Sequence, residues 1–207
     1  MSGAPLLVTL VRHGAAEGPA HVFRGTDDPP LAPAGWAALR ARRPLLMSPP
    51  ISAVATSPLR RCRDFADELA RDAGAPLAVV DDLREMAFGA WEGRSGAEAA
   101  AAHPARFAAF RADPAAATPP GGEPWDVLVA RVRRGFAAAI DGRAGHVVVV
   151  GHAGPLRVLL AEWLGMPPTH LFRVALAPAA VLRVSLLAGS PAVLLWLDGA
   201  VEVPCAG

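Results

Sequence analysis

The sequence predicts an α/β protein, a three-layer sandwich whose mostly parallel central sheet carries helices on both faces and a small helical cap. Three observations lead there. Short apolar runs alternate with helical spacings along nearly the whole chain, the rhythm of a sheet flanked by helices. Two of these runs stop at a histidine, Arg12-His13-Gly14 and Gly151-His152-Ala153-Gly154, and such sheets take ligands outside the carboxyl ends of their strands. Residues 81–122 break the rhythm with glycine, proline and Ala-rich pieces. They read as a cap-like insertion in a single domain spanning 1–207.

Each element has its own local reason. Leu6 to Val11 is an apolar run that stops at a loop, and residues 14–33 carry Gly, Pro and Asp without periodicity, as a long ordered loop beside a site does. Pro33 to Leu46 predicts one helix with proline in its first turn. Ile51 to Thr56 is strand-like, and Ser57-Pro58 offers an N-cap and N1 proline for a helix reaching Ala73. Leu77 to Val80 is a third strand. Glu123 to Ile140 places apolar residues at 125, 128, 129, 132 and 136, a helical spacing. His146 to Val150 is the most strand-like segment, Pro155 to Gly165 a helix closed by glycine, and 180–187 and 192–197 are two further strands.

Composition excludes several functions. With 20 basic against 19 acidic side chains in 207 residues the formal net charge is +1, which leaves no basic footprint for nucleic acid. Cys62 and Cys205 stand far apart without metal-ligand spacing, so neither a disulfide framework nor a structural zinc site is expected. The apolar stretch near the N-terminus lacks a basic segment ahead of it, and no run reaches the length of a membrane span. The expectation is a soluble cytoplasmic protein without a membrane partner. The apolar terminal strands leave an edge through which a second copy could pair as a homodimer.

The chemistry-bearing residues fall in a recognisable order. Arg12-His13-Gly14 is followed by Gly25-Thr26-Asp27-Asp28-Pro29-Pro30-Leu31 and Gly35, then Ser57-Pro58-Leu59-Arg60-Arg61-Cys62. Leu83-Arg84-Glu85 comes next with Phe88-Gly89 and Trp91-Glu92-Gly93, and Gly151-His152-Ala153-Gly154 is last. In these five motifs the chain resembles the histidine phosphatase superfamily, the phosphoglycerate-mutase-like fold. The resemblance implies His13 as nucleophile, Arg12 and Arg61 as phosphate-binding guanidiniums, Glu85 as proton donor and His152 as the second active-site histidine. It implies no metal and no cofactor, with a small phosphorylated molecule as the partner. Segments 85–92, 121–123, 164–167 and 172–174 are similar to the alpha-ribazole phosphatases of cobalamin assembly, which implies alpha-ribazole 5'-phosphate as substrate. A broad small-molecule phosphatase and a non-catalytic phosphate-ester binding module are the alternatives.

That chemistry is physically coherent. Phosphoryl transfer spreads negative charge over equatorial oxygens, and without a metal it must be met by guanidinium, imidazolium and backbone N–H donors. Arg12, Arg61, His152, Gly14 and the N–H of Ala153 can supply that set, provided His13 is neutral. Arg60 and Arg61 point about 100° apart on a helix, so one of them faces solvent, and Arg60 is that one. The chain has Ala16 and Pro19 where the family commonly has hydroxyl and amide donors, and Arg24 is expected to replace those contacts. Phe88, Trp91, Phe107, Phe110 and Trp125 fall in or near the cap, where Trp91 is expected to contact a flat aglycone.

Overall fold

The computed structural model describes residues 4–198, so Cys205 lies outside the described residues. Six strands form one sheet in the order β3-β2-β4-β1-β5-β6. They are β1 (Leu6–Arg12), β2 (Ala53–Thr56), β3 (Leu77–Val79), β4 (His146–Gly151), β5 (Val181–Leu186) and β6 (Val193–Asp198). The pairings among β1 to β4 are parallel, while β5 and β6 add on antiparallel. The helices are α1 (Pro33–Ala41), α2 (Arg43–Leu46), α3 (Arg60–Ala73), α4 (Gly96–Ala102), α5 (Pro104–Ala112), α6 (Trp125–Ile140) and α7 (Ala153–Trp163).

The valine run of β4 explains the layering. All six of its residues are buried, because successive side chains point to opposite faces and both faces are covered. Val147 and Val149 join the core under α6 and α7, and Val148 and Val150 join the core under α1, α2 and α3. The antiparallel β6 stands at the edge and leaves Val193, Leu195 and Leu197 exposed. None of the described helices is long and apolar enough to cross a membrane.

Several expected helix boundaries move. The helix expected over 33–46 divides at Arg42 into α1 and α2. The helix expected after Ser57-Pro58 starts at Arg60, and Ser57 does not cap it; the Arg60 N–H instead donates to Asp28 Oδ1 at 2.7 Å. A carboxylate from a distant loop thus meets the positive end of α3, while the Ser57 hydroxyl accepts from the Leu59 N–H at 3.2 Å and also faces the site. Helix α7 begins two residues earlier than its proline and stops before Gly165, which adopts φ +61°.

Candidate active site

Parallel pairing brings the two histidines together. In the β1–β4 register Arg12 stands opposite Gly151, so the next residues, His13 and His152, leave adjacent strands side by side. Their ring centroids lie 5.2 Å apart. Ser57 leaves β2, the other neighbour of β4, at the same edge, and its hydroxyl lies 2.7 Å from His152 Nε2. Cys62 Sγ sits 3.3 Å from the same nitrogen.

The loop from 14 to 31 is held by close backbone packing. A Cβ on Gly14 would stand 2.4 Å from the Gly35 carbonyl oxygen, and one on Gly35 would stand 2.0 Å from that of Ala15. The loop and α1 meet there only as glycines, which is why Gly35 belongs with the motif. Arg61, fully buried, donates to the Gly25 carbonyl at 2.9 Å and to that of Asp27. Glu92 accepts from Thr26 Oγ1 at 2.7 Å and from the N–H of Phe88 at 2.9 Å, joining this loop to the start of the insertion.

The surroundings of His13 fix its tautomer and its charge. Its Nδ1 lies 2.7 Å from the Gly14 carbonyl oxygen, which can only accept, so the proton resides on Nδ1 and the Nε2 lone pair is free. Burial, then the guanidiniums of Arg12 and Arg61, push its pKa down to about 3. The imidazole is therefore neutral across the physiological range. Burial and the adjoining His13 also hold His152 well below the ordinary histidine value. The expected imidazolium is thus a neutral ring in the unliganded protein; a bound phosphate would favour its protonation.

The cationic groups are guanidiniums. Arg12 donates to the Leu176 carbonyl. The Nε atoms of Arg12 and Arg61 are buried without a hydrogen-bond partner among the described residues, a costly state for a donor unless a ligand oxygen meets it. Glu85 faces them across the cavity, 8% exposed, its Oε1 accepting from the N–H of Met86 at 2.9 Å and of Gly154 at 3.1 Å. A Cβ on Gly154 would come within 2.3 Å of that oxygen, which explains the glycine after Ala153. Arg131 anchors Glu85 from behind, donating to its carbonyl at 3.0 Å and to the Glu123 carboxylate at 2.6 and 2.7 Å.

His152, Ser57 and Cys62 lie outside the cavity, whereas Arg12, His13, Arg61 and Glu85 line one cavity of about 710 Å³, together with Gly14, Arg24, Ala153, Phe88, Phe110 and Trp125. Trp91 does not. Contrary to expectation it is fully buried in an aromatic cluster with Phe23, Phe107 and Phe110, its Nε1 donating to His103 Nδ1 at 3.2 Å. Its indole holds the insertion together and has no face toward a ligand. Arg24 lines the cavity, and its Nη2 donates to the carbonyls of Ala16 at 3.2 Å and Pro19 at 2.9 Å. These are the positions that lack donor side chains. Arg24→Ala is expected to weaken competitive inhibition by inorganic phosphate about tenfold, roughly 1.4 kcal/mol; an unchanged inhibition constant would refute this role.

Arg111, Arg157 and Phe172 also line the cavity and were not singled out from sequence as site residues. Arg157 carried a signal, being a lone base on the otherwise apolar first turns of α7, one turn past Ala153.

The buried neutral His13 also predicts acid sensitivity. Its folded pKa lies below the unfolded value near 6.5, so the stability is fully present above about pH 6.5 and is lost as pH falls toward 3. Within that window the histidine contributes a loss of about 1.4 kcal/mol per pH unit. Urea unfolding at pH 7 and pH 5 should give a midpoint drop that His13→Gln reduces; equal drops in both proteins would overturn this.

A neutral imidazole facing converging guanidiniums and a carboxyl group at the carboxyl edge of a parallel sheet makes a site whose charges and geometry suit a phosphate ester. The chain belongs to the histidine phosphatase superfamily: the family model described as histidine phosphatase superfamily, branch 1, matches residues 8–199. It is similar to a bifunctional protein of Mycobacterium tuberculosis, 38% identical over 177 residues, covering 84% of this chain and 48% of the relative. The chain thus spans about half the length of the first curated relatives it matches. It is 32% identical to the adenosylcobalamin/alpha-ribazole phosphatase of Salmonella typhimurium over 170 residues, 80% of this chain and 84% of that one. Among solved structures, mycobacterial glucosyl-3-phosphoglycerate phosphatase superposes with a TM-score of 0.78 at 25% identity, covering 91% and 96% of the two chains.

Proposed function

We propose that the protein is a metal-independent phosphomonoesterase that acts on a small organic phosphate through a phosphohistidine. The observation that carries this reading is the His13 tautomer, with Nδ1–H on the Gly14 carbonyl and a neutral Nε2 beside the unpartnered Nε donors of Arg12 and Arg61. Nε2 attacks phosphorus and the bond to the leaving oxygen breaks. The Glu85 carboxylic acid gives its proton to that oxygen. Water then attacks the phosphohistidine, the P–N bond breaks, and the Glu85 carboxylate takes the water proton. Arg12, Arg61 and the N–H of Ala153 hold the phosphoryl oxygens throughout, and His152 packs against the His13 ring to position it.

The motif resemblance and the 32% identical relative support alpha-ribazole 5'-phosphate in the cytoplasm as the substrate. The apolar wall of Phe88, Phe110 and Trp125 suits its flat base. A second reading, an ester with another anionic group, is favoured by the arginines of the outer cavity, and the glucosyl-3-phosphoglycerate named for a structural relative is of that kind. The test is kcat/KM, without added metal, for alpha-ribazole 5'-phosphate beside a panel of small monoesters. A preference of several hundredfold, roughly 3.5 kcal/mol in transition-state binding, supports the first substrate. Absence of phosphate release from every ester would overturn the activity itself.

A further inference from the structure

Five guanidiniums line the cavity, those of Arg12, Arg24, Arg61, Arg111 and Arg157, against one carboxylate, Glu85. A single phosphate at His13 accounts for the first three. Arg111 and Arg157 come from different layers, one from the end of α5 and the other from α7, and meet at Phe172. The Arg111 guanidinium carbon lies 4.1 Å and that of Arg157 5.7 Å from the centre of this ring. Among the described residues neither forms a salt bridge. The recorded hydrogen bond of Arg157 runs from Nε to the Val174 carbonyl at 3.2 Å.

Such a pair is costly on its own. Two like charges are brought to one aromatic ring in a partly enclosed wall, with Arg12 near enough to add to the repulsion. Burial first, then Arg12, bring the Arg157 pKa down to about 10, with Arg111 contributing in the same direction and Glu85 opposing. An anion received between them would offset the repulsion, and guanidinium forks match carboxylate and phosphate oxygens in pairs.

We infer that Arg111 and Arg157, oriented by Phe172, form a second anion subsite that receives a carboxylate or second phosphate on the leaving group of the substrate. The inference rests on the proposed function, since it needs the reacting phosphate at His13. Because Arg111 belongs to the 81–122 insertion and Arg157 to the main sheet layer, the same anion would tie the insertion to the body of the protein. An ester whose only charge is the reacting phosphate leaves this subsite unfilled, which favours the second substrate reading over alpha-ribazole 5'-phosphate.

The test is calorimetric affinity of the His13→Ala protein for three probes of similar length: glycerol 3-phosphate, 3-phosphoglycerate and glycerol 1,3-bisphosphate. At least tenfold tighter binding of one of the latter two is expected, and which one binds tighter tells carboxylate from phosphate. Arg157→Met and, on the exposed α5, Arg111→Met should each bring the ratio of affinities toward one. Equal affinities for all three probes, or a preference that survives both substitutions, would overturn the subsite. Phosphate release from the same esters by the unsubstituted protein reads the other question separately. A preference in binding with no release would sink the phosphatase reading and leave the anion preference standing.

Discussion

His13→Ala is expected to lower kcat by about a thousandfold or more and to abolish the acid-labile phosphoenzyme trapped by quenching with a labelled ester. The size follows from the proposed role, in which Nε2 forms the new bond to phosphorus: removing a nucleophile leaves only what positioning and charge stabilisation can do for direct attack by water. The side chain is 6% exposed and its ring makes one hydrogen bond, to the Gly14 carbonyl, so the variant should keep its fold, checked by circular dichroism. Arg12 and Arg61 are unaltered in that protein, so it should still bind inorganic phosphate. Near wild-type turnover, or an undiminished phosphoenzyme, would remove His13 from the mechanism.

Arg131→Met should be the most destabilising of these substitutions, about 3–5 kcal/mol, because it leaves the largely buried Glu123 carboxylate without its partner. Arg131 is 2% exposed and sends donors to Glu123 and to the carbonyls of Asp82, Arg84 and Glu85. Methionine fills much of the volume and supplies none of these bonds, so urea unfolding should show a large midpoint shift. Whatever folded protein remains should also turn over slowly, since the Glu85 backbone has lost its anchor. Glu123→Gln keeps hydrogen-bonding capacity and should cost less. An unchanged unfolding midpoint in Arg131→Met would contradict this account.

The element types were legible because they are local properties. The valines of β4, the proline opening α1 and the glycine past α7 each act within a few residues. The histidine pairing was legible because both residues follow strands directly. Helix boundaries were less so. The cap of α3 comes from Asp28, 32 residues away, and no local pattern announces it.

The site divides in the same way. Sequence by itself nominated the candidate reacting set, His13, Arg12, Arg61, Glu85 and His152, because strand ends and short motifs fix where those side chains emerge. Only the tertiary structure decided what surrounds them. Trp91 had the composition of a ligand contact, yet packing with Phe23, Phe107 and Phe110 turned it into core. Arg111 and Arg157, 46 positions apart in the chain, share no pattern in the sequence, and only the fold brings both to Phe172. Burial also set the charge of the two histidines, since the pKa of an imidazole depends on how much water and how many guanidiniums surround it. That enclosure is a property of the folded chain as a whole, and no stretch of its sequence contains it.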